Sequence, residues 1–163
     1  MPNSKLPLGK LPPNLLLDIV SGFSANDPQV IQGPGIGLDC AILDLGDRYL
    51  VAKSEPITFA TDELGWYALQ VAANDIATTG AVPRWALFTV LLPDESTDVE
   101  SVGKIFRQLQ TAAEKLSITV IGGHTEVTHD LPRPIINTTL LAEIDKSKII
   151  LPNMAKQGDK VIM

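Results

Sequence analysis

Gly65-Trp66-Tyr67-Ala68-Leu69-Gln70-Val71-Ala72-Ala73-Asn74-Asp75-Ile76-Ala77-Thr78-Thr79-Gly80-Ala81-Val82-Pro83 is the stretch on which the fold turns. Its apolar and small residues read as one helix. Asp62 or Thr61 can cap its start, and Gly80 stops it near Thr79. Arg84 to Leu91, rich in Trp, Phe, Thr, Val and Leu, then reads as a strand ended by Pro93. A helix leading directly into a strand, with Asn74-Asp75 in its otherwise apolar second half, implies a helix laid on a sheet with a carboxylate near one end.

Working outward, Cys40–Leu45 and Arg48–Lys53 read as two strands joined at the tight turn Gly46-Asp47. Downstream, Val99, Val102, Phe106, Leu109, Ala113 and Leu116 recur at spacings of three and four. They predict an amphipathic helix capped by Ser96 or Thr97. Ile118–Ile121 is a short strand running into a Gly122-Gly123 turn, and Pro134–Ile144 is the last long strand. The order is β-β-α-β-α-β-β. The expected fold class is α+β, with a mixed four-stranded core sheet and helices on one face.

Three regions are expected. Residues 1–30 form an extended, proline-bearing arm with a short helix from Pro12-Pro13 to Ser21-Gly22. Residues 31–150 form the main domain, entered through the turn-rich loop Gly33-Pro34-Gly35-Ile36-Gly37. Residues 151–163, with Gly158-Asp159 before an apolar segment, read as a linker and the first strand of a further domain. The chain therefore reads as the N-terminal part of a longer protein.

The chain has 163 residues, a 45% hydrophobic and a 20% charged fraction, and a net charge of −6. These are globular values, and the acidic balance argues against a nucleic-acid surface, which needs clustered Lys and Arg. No N-terminal apolar run suggests a signal peptide, and no stretch is long enough to span a bilayer as a helix. A cytoplasmic protein is expected. Cys40 alone excludes an intramolecular disulfide and reads as a small core residue. Trp66 and Trp85 read as core or interface aromatics.

Three segments carry the chemistry. Asp39 follows Gly35 and Gly37, where backbone N–H groups can approach an anion, and fits either an oxygen ligand for a hard cation or a turn residue. Asp75, beside Asn74, sits among small apolar residues. It needs a metal or a buried cation if it is inside, a partner such as Arg84 if it forms a salt bridge, and nothing if the pair is exposed. Gly122-Gly123-His124-Thr125-Glu126 offers close backbone approach and, through Thr125 and Glu126, further oxygens. Glu55, in Lys53-Ser54-Glu55-Pro56, is either another oxygen donor or an exposed strand-end charge. Carboxylates beside glycine-rich backbone suit Mg²⁺ and the phosphates it carries. No Gly-x-x-x-x-Gly-Lys-Ser/Thr loop, dinucleotide fingerprint, nucleophile elbow or zinc spacing is present.

In order, Gly37-Leu38-Asp39-Cys40-Ala41-Ile42-Leu43, the Asn74-Asp75-Ile76-Ala77…Gly80-Ala81-Val82-Pro83 block and Gly122-Gly123-His124-Thr125-Glu126 resemble the N-terminal domain of a superfamily. Its members include aminoimidazole-ribonucleotide synthetase, HypE, selenophosphate synthetase and thiamin-monophosphate kinase. The resemblance covers roughly residues 30–145. It implies a domain that binds Mg²⁺ and ATP, dimerises through its sheet as a homodimer, and activates an acceptor by phosphoryl transfer. By position, the resemblance makes Asp39, Asp75, Glu55 and Glu126 metal residues. It makes Gly35, Gly37, Asn74, Gly122, Gly123 and Thr125 phosphate or nucleotide residues. No catalytic residue follows from it, and the acceptor, small molecule or protein, is left open. A HypE-like or synthase-related member fits best, inactive as an isolated fragment. The purine enzyme's Gly-Thr-Asp-Gly-Val-Gly-Thr-Lys-type segment and the Cys/Sec–Lys motif of selenophosphate synthetase are absent. The alternative is a non-catalytic dimerisation or regulatory module of the same fold.

Overall fold

A computed structural model of the chain describes residues 5–23 and 26–161. Residues 1–4 and 24–25 of the expected arm and residues 162–163 of the expected terminal strand lie outside the described residues. The elements are α1 (Pro13–Val20), β1 (Val30–Gln32), β2 (Ala41–Asp44), β3 (Arg48–Ile57), α2 (Leu64–Ala77), β4 (Trp85–Pro93), α3 (Val99–Leu116), β5 (Thr119–Thr128) and β6 (Ile135–Asp145). A single 3-10 turn, Pro152–Met154, follows. None of the described helices is long and apolar enough to cross a membrane.

The fold is α+β, and its mixed sheet has six strands in the order β1-β2-β3-β6-β4-β5 rather than the four expected in the core. Every neighbouring pair is antiparallel except β4 and β5, which run parallel with α3 connecting them. A parallel pair needs such a crossover, because a tight hairpin cannot join its strands. Strand alternation sorts the two faces. Ala86, Phe88, Val90 and Leu92 of β4 are buried, as are Ile136, Thr138, Leu140, Ala142 and Ile144 of β6. The residues between them are half-buried and lie on the face away from the helices.

Helix α2 buries Leu64, Gly65, Ala68, Leu69, Ala72, Ala73 and Ile76. Two contacts fix its position. Thr138, fully buried on β6, donates its hydroxyl to the Ala68 carbonyl at 2.9 Å. At the helix start, the Gly65 N–H donates to Gln108 Oε1 of α3 at 3.0 Å. This bond replaces the expected cap from Asp62 or Thr61. The position before Leu64 is Glu63, in left-handed backbone and with no side-chain cap. A β-carbon on Gly65 would lie 2.6 Å from the Ile105 carbonyl oxygen, so only glycine lets the two helices approach this closely. Helix α3 is also capped one residue later than expected. Asp98 accepts from the Ser101 N–H at 2.7 Å, and Ser101 Oγ accepts from the Asp98 N–H at 3.0 Å.

Two strands are longer than the sequence suggested. Ser54-Glu55-Pro56, read as the end of the second strand, lie within β3 and pair with β6 through Ile57. Past Ala52, β3 has no partner on its β2 side, since the β2 register begins at Ala41↔Ala52. Pro56, which lacks an N–H, is tolerated on that free side. The expected Gly122-Gly123 turn is a correction of kind rather than of length. Both glycines are inside β5, at φ 154° and 151°, opposite Leu87 and Phe88. A β-carbon on Gly123 would fall 2.1 Å from the Phe88 carbonyl oxygen. Gly123 therefore lets β5 pass close to the backbone of β4.

Candidate functional site

The site is the mouth left where β2 begins and β3 continues without it. Just before β2, Asp39 and Cys40 approach Lys53. On β3, Lys53 and Glu55 share a face with the buried Val51. Asp75 reaches in from the last turn of α2. Lys53 Nζ lies 2.8 Å from Asp75 Oδ2, 2.9 Å from Glu55 Oε2 and 3.9 Å from Asp39 Oδ1. Three carboxylates from three segments, 36 positions apart at the widest, therefore meet at one ammonium.

Burial is unequal within this group. The Lys53 side chain is 9% exposed, against 24% for Asp75, 25% for Glu55 and 54% for Asp39. The ammonium is the floor and the carboxylates form the rim. Burial alone would lower the pKa of Lys53. Hydrogen bonds to Asp75 and Glu55, with the charges of the same two groups, outweigh it and hold the ammonium above its usual range. Cys40 is 4% exposed, and its thiol donates to the Asp75 carbonyl at 3.4 Å. Burial pushes that thiol up to about 11, the charge of Lys53 opposes the rise, and Asp75 and Asp39 add to it. Thr78 Oγ1 donates to the same carbonyl at 2.7 Å.

The glycine loop borders the mouth. Gly37, at φ 74° and facing open space, lines a crevice of about 170 Å³ with Asp39, Cys40, Thr78 and Thr79. A wider hollow of about 470 Å³ runs along Gly33, Pro34, Leu38, Asp39 and Ser54. Gly35 packs against Leu38 and opens a turn in which the Leu38 N–H donates to the Gly35 carbonyl at 3.4 Å. Asn74 is exposed beside Asp75.

The segment from Gly122 to Glu126 is placed differently. Glu55 is opposite Thr138 of β6, which is opposite Phe88 of β4, so Glu55 lies on the helix face. Glu126 is opposite Leu91, on the other face, and its carboxylate lies 3.0 Å from His124 Nε2. Glu126 therefore does not join the other three acids within this chain. Thr125, opposite Val90, is on the helix face but on the exposed edge strand. Gly122 and Gly123 serve strand pairing. Among the described residues, no group of three or more His, Cys, Asp or Glu side chains is gathered as closely as a metal requires. Lys53 stands where an ion would bring the acids together. It was not among the site residues expected from the sequence. Its signal was positional: two residues after a buried valine, a lysine on a core face must find carboxylates.

Comparison with known proteins agrees with this fold. Residues 37–144 match the family described as AIR synthase related protein, N-terminal domain. A Methanocaldococcus jannaschii protein, whose name proposes a role in hydrogenase expression/formation, is 28% identical over 79% of this chain and 41% of its own length. The selenide, water dikinase of Dechloromonas aromatica is 26% identical over 94% of this chain and 45% of its own. The thiamine-monophosphate kinase of Bacillus subtilis is 28% identical over 63% and 30%. Among solved structures, the HypE–HypF complex aligns with a TM-score of 0.61 at 20% identity, covering 79% of this chain and 42% of that one. The structure titled AaThiL complexed with AMPPCP and TMP aligns with a TM-score of 0.58 at 24% identity, covering 68% and 37%. The chain spans less than half the length of these relatives. The match from Gly37 to Ile144, over most of the chain, shows that the chain belongs to the AIR synthase related family and carries its N-terminal domain.

Proposed function

We propose that this domain is the nucleotide-binding half of an ATP-dependent, HypE-like enzyme. It binds Mg²⁺-ATP at the mouth and presents a phosphoryl group to an acceptor. The observation that carries this reading is the convergence of Asp39, Glu55 and Asp75 on Lys53 beside the glycine loop. All three groups offer oxygen, the donor a hard cation takes, and the nearby Cys40 thiol stays protonated; Lys53 fills the space between Glu55 and Asp75, so an ion held there would have to displace its ammonium. Kinase and dikinase names among the relatives support the same direction.

Asp39, Glu55 and Asp75 would hold the ion, which when bound supplies charge neutralisation to the phosphates. The chain's own residues do the rest. Thr78 and Cys40 fix the backbone beneath Asp75, the Gly35 and Gly37 loop offers N–H groups to phosphate oxygens, and Asn74 lies exposed at the rim for a nucleotide contact. Lys53 supplies a fixed positive charge. In the same reading, two copies pair through the half-buried face opposite the helices, where Trp85, Leu87, Leu91 and Leu141 lie. Glu126 and His124 would then be interface residues rather than ligands of this mouth.

Calorimetric titration of Mg²⁺-ATP into the full-length protein tests the reading, with Asp75→Asn and Asp39→Asn as variants. Asp75→Asn is expected to weaken binding by about tenfold or more, since it removes a charge-assisted contact. Equal affinity in all three proteins removes the proposal. The acceptor's class follows from the reading only as something phosphorylated or activated, and turnover with candidate acceptors decides between an enzyme and a non-catalytic module.

A further inference from the structure

Helix α3 buries Ile105, Leu109, Ala112 and Ala113 against the domain. On the flank beside the start of α2, Lys104, Arg107, Thr111 and Lys115 follow at spacings of three and four, which puts them on one line along the helix. Gln108 is on the same line and accepts from the Gly65 N–H at 3.0 Å, so this flank is fixed against α2. These side chains, with Trp66 and Glu63, line a hollow of about 490 Å³. Two observations set it apart from ordinary charged surface. The first is that its cations have no carboxylate partners. Arg48, Lys53, Arg84 and Lys146, on or just after the sheet strands, are each in an ion pair. Among the described residues, Lys104, Arg107 and Lys115 are in none. Glu114, next to Lys115 in sequence, accepts from Gln110 at 2.9 Å instead. The second is that one of them is held in place: Lys115 Nζ lies 4.7 Å from the centroid of the Trp66 ring, a cation–π contact. Three positive charges without partners thus gather on one flank of a chain whose net charge is −6.

We propose that this flank of α3 docks an acidic segment of a partner protein. Lys104 and Lys115 are eleven residues apart, about 16 Å along the helix axis, with Arg107 between them. All three side chains are exposed, so the charges form a line on the surface and not an enclosed pocket. A single phosphate or carboxylate reaches one or two of them. A segment laid along α3, with its own carboxylates at helical spacing, reaches all three. A nucleic acid also presents a line of anions, but it extends past the flank, and the rest of this acidic chain repels it. The hollow is at the opposite end of α2 from the mouth. Trp66 and Asp75 are nine residues apart, about 14 Å along that helix, so a partner on this flank leaves the mouth open. The docking therefore stands apart from the nucleotide reading, and neither depends on the other. Cations kept only for solubility predict a different outcome: an acidic peptide then responds to the protein's net charge and not to these three positions.

The test is fluorescence anisotropy with the full-length protein at about 0.15 M salt, where charges more than about 8 Å away are largely screened. The probe is a labelled, alanine-based helical peptide with glutamates at spacings of three and four, compared with its glutamine counterpart. The variants are Lys104→Gln, Arg107→Gln, Lys115→Gln and the three together. The control removes three exposed cations elsewhere, as Lys148→Gln, Lys156→Gln and Lys160→Gln combined. Wild type is expected to prefer the glutamate peptide. Each single change on the flank weakens that binding by about two- to fivefold, the size of an exposed ion pair, and the three together by about tenfold or more. The control changes it by less than about twofold. If the triple variant does not fold, the single variants decide. Equal binding of the two peptides, or a loss in the control as large as on the flank, overturns the proposal. Inorganic tripolyphosphate bound more tightly than the peptide, and lost in the flank variants, marks a small-anion site and overturns it too. So does protection of Lys104 and Lys115 from acetylation in the free full-length protein, relative to Lys148, because the chain's own remainder then covers the flank. Binding of Mg²⁺-ATP is read separately and is expected to be the same in wild type and the flank variants.

Discussion

Gly65→Ala and Gly103→Ala are the same chemical change on two helices, and the structure predicts opposite signs. On α2, the new methyl carbon at position 65 would stand 2.6 Å from the Ile105 carbonyl oxygen and 2.9 Å from Leu109 N, both backbone atoms of α3. Ordinary contact begins near 3.4 Å, so the helices must part by about 0.8 Å or bend. Overpacking against backbone costs about 1–3 kcal/mol, and the upper end applies because nothing flexible can move aside. Separation also stretches the 3.0 Å bond from Gly65 N–H to Gln108, worth about 1 kcal/mol. Together these come to about 4 kcal/mol, and alanine's helix preference offsets up to about 1, which leaves a loss of about 3 kcal/mol. On α3, the added carbon at position 103 meets only the terminal guanidinium of Arg107, at 3.0 Å, which can swing away. There the helix preference for alanine gives a gain of about 0.5–1 kcal/mol. Urea unfolding of both variants, followed by far-UV circular dichroism, reads the two numbers directly. A loss under about 1 kcal/mol for Gly65→Ala would show that α2 and α3 are not packed backbone to backbone, and every distance across the mouth that depends on α2 would go with it.

Thr138→Val removes the buried hydroxyl that ties β6 to the Ala68 carbonyl while keeping its shape. It is expected to cost about 1 kcal/mol in thermal or chemical unfolding, and a variant as stable as wild type contradicts that role. Asp98→Ala removes the cap of α3 and is expected to lower the melting temperature at neutral pH. The Ser101 N–H and hydroxyl hold the Asp98 carboxyl below its ordinary 3.8, so its contribution is present above that value and fades as pH falls through the folded pKa. The gap between wild type and variant should therefore close in acid; a gap that widens refutes the assignment. For Cys40 the sign is reversed: the buried thiol is raised from 9.0 to about 11, so unfolding releases a proton between those values and stability falls as pH rises through them. A thiol-specific disulfide reagent at pH 8 should react slowly with the native protein and fully with the unfolded one, and rapid native labelling refutes the burial.

Periodicity made most of the frame legible. The stripe through Val102, Leu109 and Ala113 gave α3, although Val99 and Phe106 of the same stripe are exposed, and the block ending in Gly80 gave α2 and its stop, with Gly80 at φ 80°. What failed were features decided across the sheet. Gly122-Gly123 has the composition of a turn, and only the backbone of Phe88, far away in sequence, makes those glycines part of a strand. Pro56 looks like a strand end because proline cannot serve two neighbours. It sits inside β3 because β2 has already stopped and one side is free. The cap of α2 was sought at Thr61 or Asp62, next to it in sequence, and came from Gln108 on another helix.

The same distinction explains the site. Asp39 was singled out by the glycines before it, and Asp75 because a carboxylate among small apolar residues has to be compensated, a demand that is local. Glu126 was placed with them by the resemblance, with Gly122-Gly123 read as a turn. Once the segment is straight, period two sends Glu126 to the face of Leu91 while Glu55 points toward the helices. Lys53 was overlooked because lysines on strands are ordinarily exposed. On the same period it follows Val51, which is fully buried, and precedes Glu55, so it could only point into the mouth. Asp75 thus had a compensating cation all along, on β3 rather than at Arg84, whose guanidinium is 2.7 Å from Glu143 instead. Compensation by a protein cation has a consequence that compensation by a metal does not: the acids can be held near one another in the chain itself, so the mouth can be assembled by folding before any ligand arrives.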